Sequence, residues 1–417
     1  MLASSLQPLA SSLLSGFASS LQPLASSLLS GFASSLPPLA SSLLLGFCLT
    51  FVITAIIYHL LVLAAAAHFR RERKPGASFT PPVSVLKPVR GAEPDLYPCL
   101  ATFCRQDYPE YEVLCCVEDR EDPAGPAVLQ LQKDFPNVPI RLLVADRSYG
   151  TNQKVNSLDK MYREMRHEYL VISDDDISVG PDYLRHIMAE CGDPQVGVVT
   201  CPYRGRPGGT LASRFEAVGI AGEFFSGVLV ARLLEGIRFA MGSTMVTRKE
   251  LVAAMGGFPV LADYQNDDFE LGSRLARLGY RGVLSHYVVD TLLPADTWRS
   301  MLRHQFRWMR GQACSRPKGH LGLIFTYGSV FLLGALALRP GSPAVWWVGG
   351  VWLALRLLSA WMAGVVNLKD PTLRRHWFLV PPRELLTVGL WAASLFYKKI
   401  IWKGQQYIIV RGKMIRI

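Results

Sequence analysis

Residues 80 to about 315 contain short apolar runs that alternate with polar or amphipathic stretches. The runs have the length of buried strands and lie at 83–86, 113–117, 140–144, 169–172 and 196–200. Helical spacing is found between them, for example at 95–105 and 127–135. Strands that alternate with helices predict an α/β fold with a largely parallel sheet. Such sheets bind ligands at the carboxyl ends of their strands.

Longer apolar segments flank this region on both sides. Residues 43–67 would form a helix of about 37 Å, enough to cross a hydrocarbon core of about 30 Å. Two further segments, 321–338 and 344–366, are joined by a short turn. A third covers 377–397, and its apolar stretch 384–397 is short for a membrane span. The pattern predicts an integral, multi-pass membrane protein with N-terminal and C-terminal transmembrane helices.

Basic residues indicate which side of the membrane the 80–315 region occupies. The cluster Arg70, Arg71, Arg73 and Lys74 directly follows the first apolar segment. By the positive-inside rule, segment 43–67 is a signal anchor and the 80–315 region is cytoplasmic. A third C-terminal crossing would put the basic tail 398–417 outside. We therefore expect 377–397 to be an interfacial or re-entrant segment rather than a transmembrane one.

The first 42 residues are a low-complexity repeat. Residues 4–18 recur unchanged at 19–33 and with drift at 34–48, and each copy carries a proline that would interrupt a helix. A hydrophobic recognition arm is one interpretation. The interpretation we favour is a duplication of the sequence that leads into the membrane anchor. No basic region precedes the repeats, so they do not resemble a cleaved signal peptide.

Composition and charge narrow the class of protein. Of 417 residues, 50% are hydrophobic and 18% are charged, against about 25% charged in soluble domains. This argues against a soluble, disordered or disulfide-stapled protein. The net charge of +11 would suit nucleic acid or an anionic membrane surface. The basic residues lie beside apolar segments, so we expect no nucleic-acid partner. The eight cysteines include no C-x-x-C pair.

Two acidic groups directly follow predicted strands. Asp119 comes after strand 113–117, where a carboxylate can accept hydrogen bonds from a nucleobase or a ribose, although a solvated loop is the alternative. Asp174, Asp175 and Asp176 follow strand 169–172 and would repel one another without a cation. In an extended chain the first and third point the same way. This arrangement suits Mg²⁺ or Mn²⁺ carrying a diphosphate; the alternative is an acidic helix cap.

Two more motifs lie further along the chain. Asp267 and Asp268 precede leucines at helical spacing, and paired carboxylates there can hold one as a general base, or can simply cap the helix. Arg307 and Trp308 come shortly before the C-terminal apolar segments. They could grip a diphosphate and form the floor of an acceptor site, or could anchor the chain at the membrane interface.

In chain order, the motifs are Asp119, Asp174-x-Asp176, Asp267-Asp268 and Arg307-Trp308. This order resembles membrane-bound GT-A glycosyltransferases. The stretches 83–91, 103–123, 152–156 and 402–407 are similar more specifically to the ceramide glucosyltransferase family, which includes a bacterial branch that modifies hopanoids. The resemblance runs from about residue 82 to the C-terminus and leaves out the repeats and the anchor.

The resemblance implies a GT-A type nucleotide-sugar-binding domain over 80–315 and a role for each motif. Asp119 would hold uridine and Lys154 the diphosphate, while Asp174 and Asp176 would coordinate a divalent cation, Mg²⁺ or Mn²⁺. Asp268 would be the general base, with Asp267 as its neighbour. Arg307 and Trp308 would line the acceptor and diphosphate region.

One position departs from the family pattern. The family usually has Gln or Arg three residues before the Arg-Trp pair, and this chain has His304 there, with Gln305 one position out of register. An imidazole can still donate a hydrogen bond, so we place His304 with the acceptor and diphosphate group.

The implied function is an inverting transfer of a sugar from a UDP-sugar donor to the hydroxyl of a membrane lipid acceptor. UDP-glucose with ceramide and UDP-N-acetylglucosamine with a hopanoid polyol both fit. His304, the sequence Asp174-Asp-Asp176 and the prokaryotic character of the chain favour a bacterial lipid, and hence the bacterial inner membrane. A processive polysaccharide synthase would need more membrane spans. A non-catalytic lipid-binding scaffold would be expected to lack Asp268 or the D-x-D pair, and both are present.

Overall fold

The structure is a computed structural model that describes residues 37–72, 79–402 and 404–417. The repeats in 1–36, with Arg73 and Lys74 of the basic cluster, lie outside the described residues. The chain divides into two compact units. Of the described residues, the larger unit comprises those within Leu61–Leu321 and Leu357–Ile417, and the smaller comprises those from residue 37 to Leu60 together with Gly322–Arg356.

A seven-stranded sheet forms the centre of the larger unit, as far as the described residues show. The unit's first ten strands are β1 (Val83–Pro88), β2 (Tyr111–Val117), β3 (Ile140–Val144), β4 (Tyr169–Ile172), β5 (Ile177–Ser178), β6 (Val196–Thr200), β7 (Tyr203–Pro207), β8 (Met245–Arg248), β9 (Arg281–Leu284) and β10 (Val289–Leu293). The sheet order is β3-β2-β1-β4-β8-β6-β9, and β5-β10-β7 form a second sheet. The four neighbouring strands β3, β2, β1 and β4 are parallel to one another, and β8 is antiparallel to both of its neighbours, β4 and β6.

The five strands predicted from the apolar runs are all confirmed, and helices connect them. The helices of this domain are Leu96–Phe103, Gly125–Asp134, Gln153–Glu164, Tyr183–Ala189, Leu211–Gly219, Phe225–Glu235, Lys249–Ala254, Asp267–Arg277 and Trp298–Ser315, with a 3-10 turn at Phe258–Leu261. A π-helical turn, Ile220–Phe224, joins two of them into one continuous rod. Both stretches predicted to be helical, 95–105 and 127–135, are confirmed within two residues at each end.

Two hydrophobic cores cover the two faces of the main sheet. Because successive side chains of a strand point to opposite faces, Val85 and Val113 join one core while Leu86 and Leu114 join the other. Strands buried on both faces read as continuous apolar runs, which is why the sequence pattern revealed them. The sheet is therefore rigid up to the carboxyl ends of its parallel strands, where the acidic groups lie.

Three helices in the described part of the chain have the length and apolar composition to cross a membrane: Pro38–Arg71, Leu211–Glu235 and Pro343–Asn367. A fourth candidate is a pair, Pro317–Thr326 and Gly328–Leu338, bent by 41°. The predicted segment 43–67 lies within helix Pro38–Arg71, and 344–366 lies within Pro343–Asn367. The predicted segment 321–338 overlaps both helices of the bent pair. The chain is a membrane protein; the boundaries of its crossings and their orientation stay predictions.

The smaller unit is a bundle of apolar helices. Part of Pro38–Arg71 packs there against Gly328–Leu338, and the Phe51 and Phe331 rings stack with centroids 4.2 Å apart. Val52, Ala55 and Trp352 are buried in the same contact region. This unit carries none of the predicted site residues.

The C-terminal part of the larger unit is more ordered than the prediction of a basic tail suggested. Helix Pro371–Arg375, the 3-10 turn Trp377–Leu379 and helix Val380–Phe396 precede it. The tail forms a three-stranded antiparallel sheet of β11 (Lys399–Trp402), β12 (Gln405–Val410) and β13 (Lys413–Arg416). The segment before Asp267 holds this sheet, because the Met414 N–H donates to the Asp263 carbonyl at 2.7 Å.

Candidate active site

Lys154 joins two of the predicted acidic motifs. It lies in the first turn of helix Gln153–Glu164, which Asn152 caps by accepting a hydrogen bond from the Lys154 N–H. Its Nζ is 2.6 Å from Asp174 Oδ1 and 3.3 Å from Asp267 Oδ2. Burial disfavours the charged ammonium, yet Asp174 and Asp267 raise the pKa of Lys154 above its ordinary value. Lys154 therefore stays protonated and neutralises both carboxylates.

Asp268 is held as a poised carboxylate at the start of helix Asp267–Arg277. Its Oδ2 accepts the Gly242 N–H at 2.8 Å, and its Oδ1 accepts the Phe269 N–H at 2.7 Å. Burial, and after it the negative charge of Asp267, raises the pKa of Asp268 to about 6. Such a group is ionised near neutral pH but is basic enough to take a proton from an alcohol in the transition state.

The D-x-D residues follow β4 at the edge where ligands bind. Asp175 accepts the backbone N–H of Arg90 at 3.3 Å, whereas Asp176 accepts the Thr291 hydroxyl at 3.1 Å. The Asp176 residue is exposed overall, although neighbouring protein atoms partly exclude water from its carboxylate. This partial desolvation, with the charges of Asp174 and Asp175, raises the pKa of Asp176 to about 7.

A divalent cation fits this pair only together with other ligands. Within the described ranges, no group of three or more His, Cys, Asp or Glu side chains could hold a metal ion. Mg²⁺, however, is usually bound through one or two carboxylates plus substrate phosphates. Asp174 and Asp176 supply two hard oxygen donors, and their mutual repulsion is what a cation would relieve. The donor set suits a cation that arrives with a diphosphate.

Asp119 lies where the sequence predicted, in the turn at the carboxyl end of β2. Its side chain is exposed, and its Oδ1 accepts the Glu121 N–H at 3.2 Å. The neighbouring Asp122 ties this turn to the end of β1, since its Oδ1 accepts the Gly91 N–H at 2.8 Å. Asp119 is thus free to face a ligand above β1 and β2.

The predicted acceptor residues share one helix, Trp298–Ser315. Burial lowers the pKa of Arg307 to about 10, against the opposing effects of Asp174 and Glu216. The Arg307 carbonyl accepts the side-chain amide of Gln265 at 3.0 Å, which connects this helix to the loop before Asp267. Arg307 is therefore a half-buried cation that interacts with Asp174, the same carboxylate that Lys154 contacts.

His304 and Gln305 both contact a buried acid that sequence reasoning missed. His304 Nδ1 is 2.7 Å from Glu216 Oε1, and the Gln305 amide donates to the same oxygen at 3.0 Å. The His304 ring lies 4.5 Å from the Trp308 ring, between centroids. Arg383 donates to the Gln305 carbonyl oxygen at 2.5 Å, so Gln305 points into a buried network. His304, and not Gln305, is therefore the residue whose side chain lies beside Trp308.

Gly242 and Glu216 gave only weak signals in the sequence. Gly242 contacts the site through its backbone, accepting the Asp174 N–H at 3.1 Å and donating to Asp268. A Cβ at this position would lie 2.5 Å from Asp174 Oδ2. Glu216 could have been noticed as an acid inside the apolar stretch 211–235. A glycine after a methionine offers no comparable signal.

Replacing Gly242 by Ala tests how closely the site is packed. We expect kcat to fall about a hundredfold, because the new methyl group must displace Asp174 from Lys154, and small misplacements have effects of this size. The measurement is sugar transfer together with the melting temperature. Gly227→Ala is the control, since a Cβ at Gly227 meets nothing within 4 Å. Equal activity of the two variants would contradict the described packing.

Comparison with known proteins identifies the class. The family model described as Glycosyl transferase family 21 matches residues 47–415. Ceramide glucosyltransferase 1 of Caenorhabditis elegans is 24% identical in an alignment of 382 residues that covers 88% of this chain and 80% of that protein. A ceramide glucosyltransferase of Gibberella zeae is 30% identical in an alignment of 172 residues that covers 37% of this chain and 33% of that protein.

A solved structure is similar in fold. A mannosyltransferase from Pyrobaculum calidifontis, in complex with GDP-Man and Mn²⁺, superposes with a TM-score of 0.55 at 18% identity, covering 85% of this chain and 99% of that one. Family match and fold thus define a membrane-associated glycosyltransferase with a GT-A type domain, as predicted. The chain belongs to glycosyltransferase family 21. The roles of individual site residues stay predictions.

Proposed function

We propose that the chain transfers a sugar from a UDP-sugar to the hydroxyl of a membrane lipid, with inversion at the anomeric carbon. One observation carries the proposal: Lys154 connects Asp174, on the donor side, to Asp267, beside the base Asp268. The leaving diphosphate and the attacking hydroxyl would therefore meet at one cluster. The similarity to ceramide glucosyltransferases over 80% of the nematode protein supports a UDP-glucose donor and a ceramide acceptor.

The chemistry is a single displacement. Asp268 accepts the proton of the acceptor hydroxyl, whose oxygen forms a bond to the anomeric carbon as the bond to the diphosphate breaks. UDP leaves with the electron pair of that bond, and the ammonium of Lys154 and the guanidinium of Arg307 stabilise its developing charge. Asp174 and Asp176 would hold a Mg²⁺ or Mn²⁺, which supplies further positive charge to the diphosphate when bound. An α-linked donor gives a β-glycoside.

The lipid would reach this site from the cytoplasmic leaflet. Helix Leu211–Glu235 carries Glu216, which contacts His304, and exposes Phe224, Leu233 and Leu234 further along. Exposed apolar side chains on a helix with a buried polar contact suit an interfacial position. The catalytic domain would lie on the cytoplasmic side by the positive-inside rule, in a bacterial inner membrane.

The experiment offers donors and acceptors separately. Membranes from cells that express the chain receive labelled UDP-glucose or UDP-N-acetylglucosamine with Mg²⁺ or Mn²⁺, and either ceramide or a hopanoid polyol. We expect label in ceramide from UDP-glucose, lost with a chelator. Label in the hopanoid would keep the lipid transferase and change its acceptor. Folded protein that labels neither lipid from either donor would contradict the proposal and favour a non-catalytic scaffold.

The pH dependence follows from the raised pKa of Asp268. Only the carboxylate form can accept a proton, so kcat/KM for the donor should fall about tenfold per pH unit below a midpoint near 6. Asp267→Asn removes a negative charge that raises the pKa of Asp268, and should move the midpoint to lower pH. Steady-state rates at fixed acceptor concentration measure this. A midpoint that stays or rises in the variant would contradict the assignment.

A further inference from the structure

A polar pocket lies between the C-terminal sheet and the loops at the donor side of the main sheet. Its volume is about 110 Å³. Residues of the C-terminal sheet line one side and residues of the domain line the other: Trp402, Gln405, Tyr407 and Arg416 on the first, and Arg90, Thr151 and Gln153 on the second. None of the predicted site residues lines this pocket, so the reaction as derived above does not use it.

The C-terminal sheet is fastened to the loops that carry the site. The Thr151 hydroxyl, three residues before Lys154, donates to the Met414 carbonyl at 3.1 Å. On the other side, the Gln265 N–H donates to the Gly412 carbonyl at 3.3 Å, two residues before Asp267. These bonds hold the sheet over the junction between the donor and base motifs.

Arg90 connects one wall of the pocket to the carboxyl ends of β2 and β4. The Arg90 N–H donates to Asp175 at 3.3 Å, and its guanidinium is 3.3 Å from Glu118, next to Asp119. At the other end, the Arg307 guanidinium lies 5.6 Å from the centre of the Trp402 ring. Two residues that line the pocket thus contact the predicted donor site: Arg90 pairs with the neighbour of Asp119, and Trp402 contacts Arg307.

We propose that the C-terminal sheet completes the donor site and that this pocket receives the nucleoside part of UDP. The half-buried ring of Trp402 offers a face on which a base can stack, whereas the Tyr407 ring is buried in the hydrophobic cluster of this sheet. The carbonyl oxygens of Gln153 and Gln405 accept hydrogen bonds from Arg90 and Arg416, and their amide N–H groups can donate to the carbonyl oxygens of uracil. The guanidinium of Arg416, which donates to Gln405 at 2.8 Å, can contact ribose oxygens. The inference rests on the proposed function for the identity of the nucleotide.

Binding to the full chain in lipid nanodiscs tests the inference. The dissociation constants of UDP, UMP and inorganic diphosphate are measured by calorimetry with Mn²⁺ present. Gln405→Ala and Arg416→Gln replace exposed side chains of the pocket. Trp402→Ala removes the stacking ring and is interpreted after these two, because that ring also contacts Arg307. Arg411→Gln is the matched control, since it removes the same charge from an exposed turn of the same sheet.

We expect each variant to weaken UDP and UMP binding about tenfold and to leave inorganic diphosphate unchanged, as base stacking and its supporting contacts have effects of this order. UDP affinities within twofold of Arg411→Gln would overturn the inference while transfer by the wild type upholds the proposed function. Equal weakening of inorganic diphosphate would also overturn it, because the pocket would then hold phosphate. A wild type that binds no UDP would overturn both.

Discussion

Asp268→Asn should lower kcat for sugar transfer about a thousandfold while the protein stays folded and still binds UDP. A positioned general base contributes about a hundredfold to ten-thousandfold, and the amide cannot take up the acceptor proton. The substitution is nearly isosteric, and the amide oxygen can still accept the Gly242 N–H that Asp268 accepts at 2.8 Å. Single-turnover transfer rates and UDP affinity, measured on the same preparation, separate the loss of chemistry from a loss of binding.

A surface carboxylate provides the control for this variant. Asp107 is exposed and pairs with Arg185, so Asp107→Asn makes the same chemical change away from the site. It should transfer sugar at the wild-type rate. If Asp268→Asn kept more than a tenth of the wild-type kcat with the melting temperature unchanged, the base would have to lie elsewhere.

Lys154→Met should have the second largest effect. We expect kcat/KM for the donor to fall at least a hundredfold, because the variant loses the cation that contacts Asp174 at 2.6 Å and would stabilise the leaving diphosphate. Lys154 also lowers the pKa of Asp268, so the acidic limb of the pH profile should move to higher pH. That is opposite to the shift expected for Asp267→Asn. Donor kinetics across a pH series give both results.

Lys160 on the same helix is the matched control, since it pairs with Asp146 and Glu164 away from the site. Lys160→Met should change neither the donor kinetics nor the acidic limb. An unchanged kcat/KM in Lys154→Met, or a limb that moves down, would show that Lys154 is structural.

Hydrophobic patterning predicted five of the seven strands of the main sheet but not β8 and β9. Strands such as β4 and β6 are buried on both faces, so they appear as apolar runs. Strand β8 has four residues and ends in Arg248, and its place in the sheet depends on pairing with β4 and β6, which are distant in sequence. The C-terminal sheet depends on contacts with the loop before Asp267. No local pattern reports such distant contacts.

The site was predictable as far as strand ends determine it. The ends of β2 and β4 place Asp119 and the D-x-D pair at one edge of the sheet, as expected. The bridge from Lys154 to Asp267 depends on how two distant helices pack. Glu216, which contacts His304 and Gln305, lies in a stretch that resembles a membrane span by composition. Its contacts become evident only in the folded structure, where helix Trp298–Ser315 packs beside it.

Analysis of product by mass spectrometry and NMR tests the central claim most directly. Purified chain in nanodiscs is given UDP-glucose, ceramide and Mg²⁺ or Mn²⁺, with Asp268→Asn alongside. The account predicts a β-linked hexosyl lipid formed with one UDP released per lipid, and almost none from the variant. An α-linked product would contradict the single displacement. UDP release without a glycosylated lipid, at equal rates in both proteins, would contradict lipid transfer at this site.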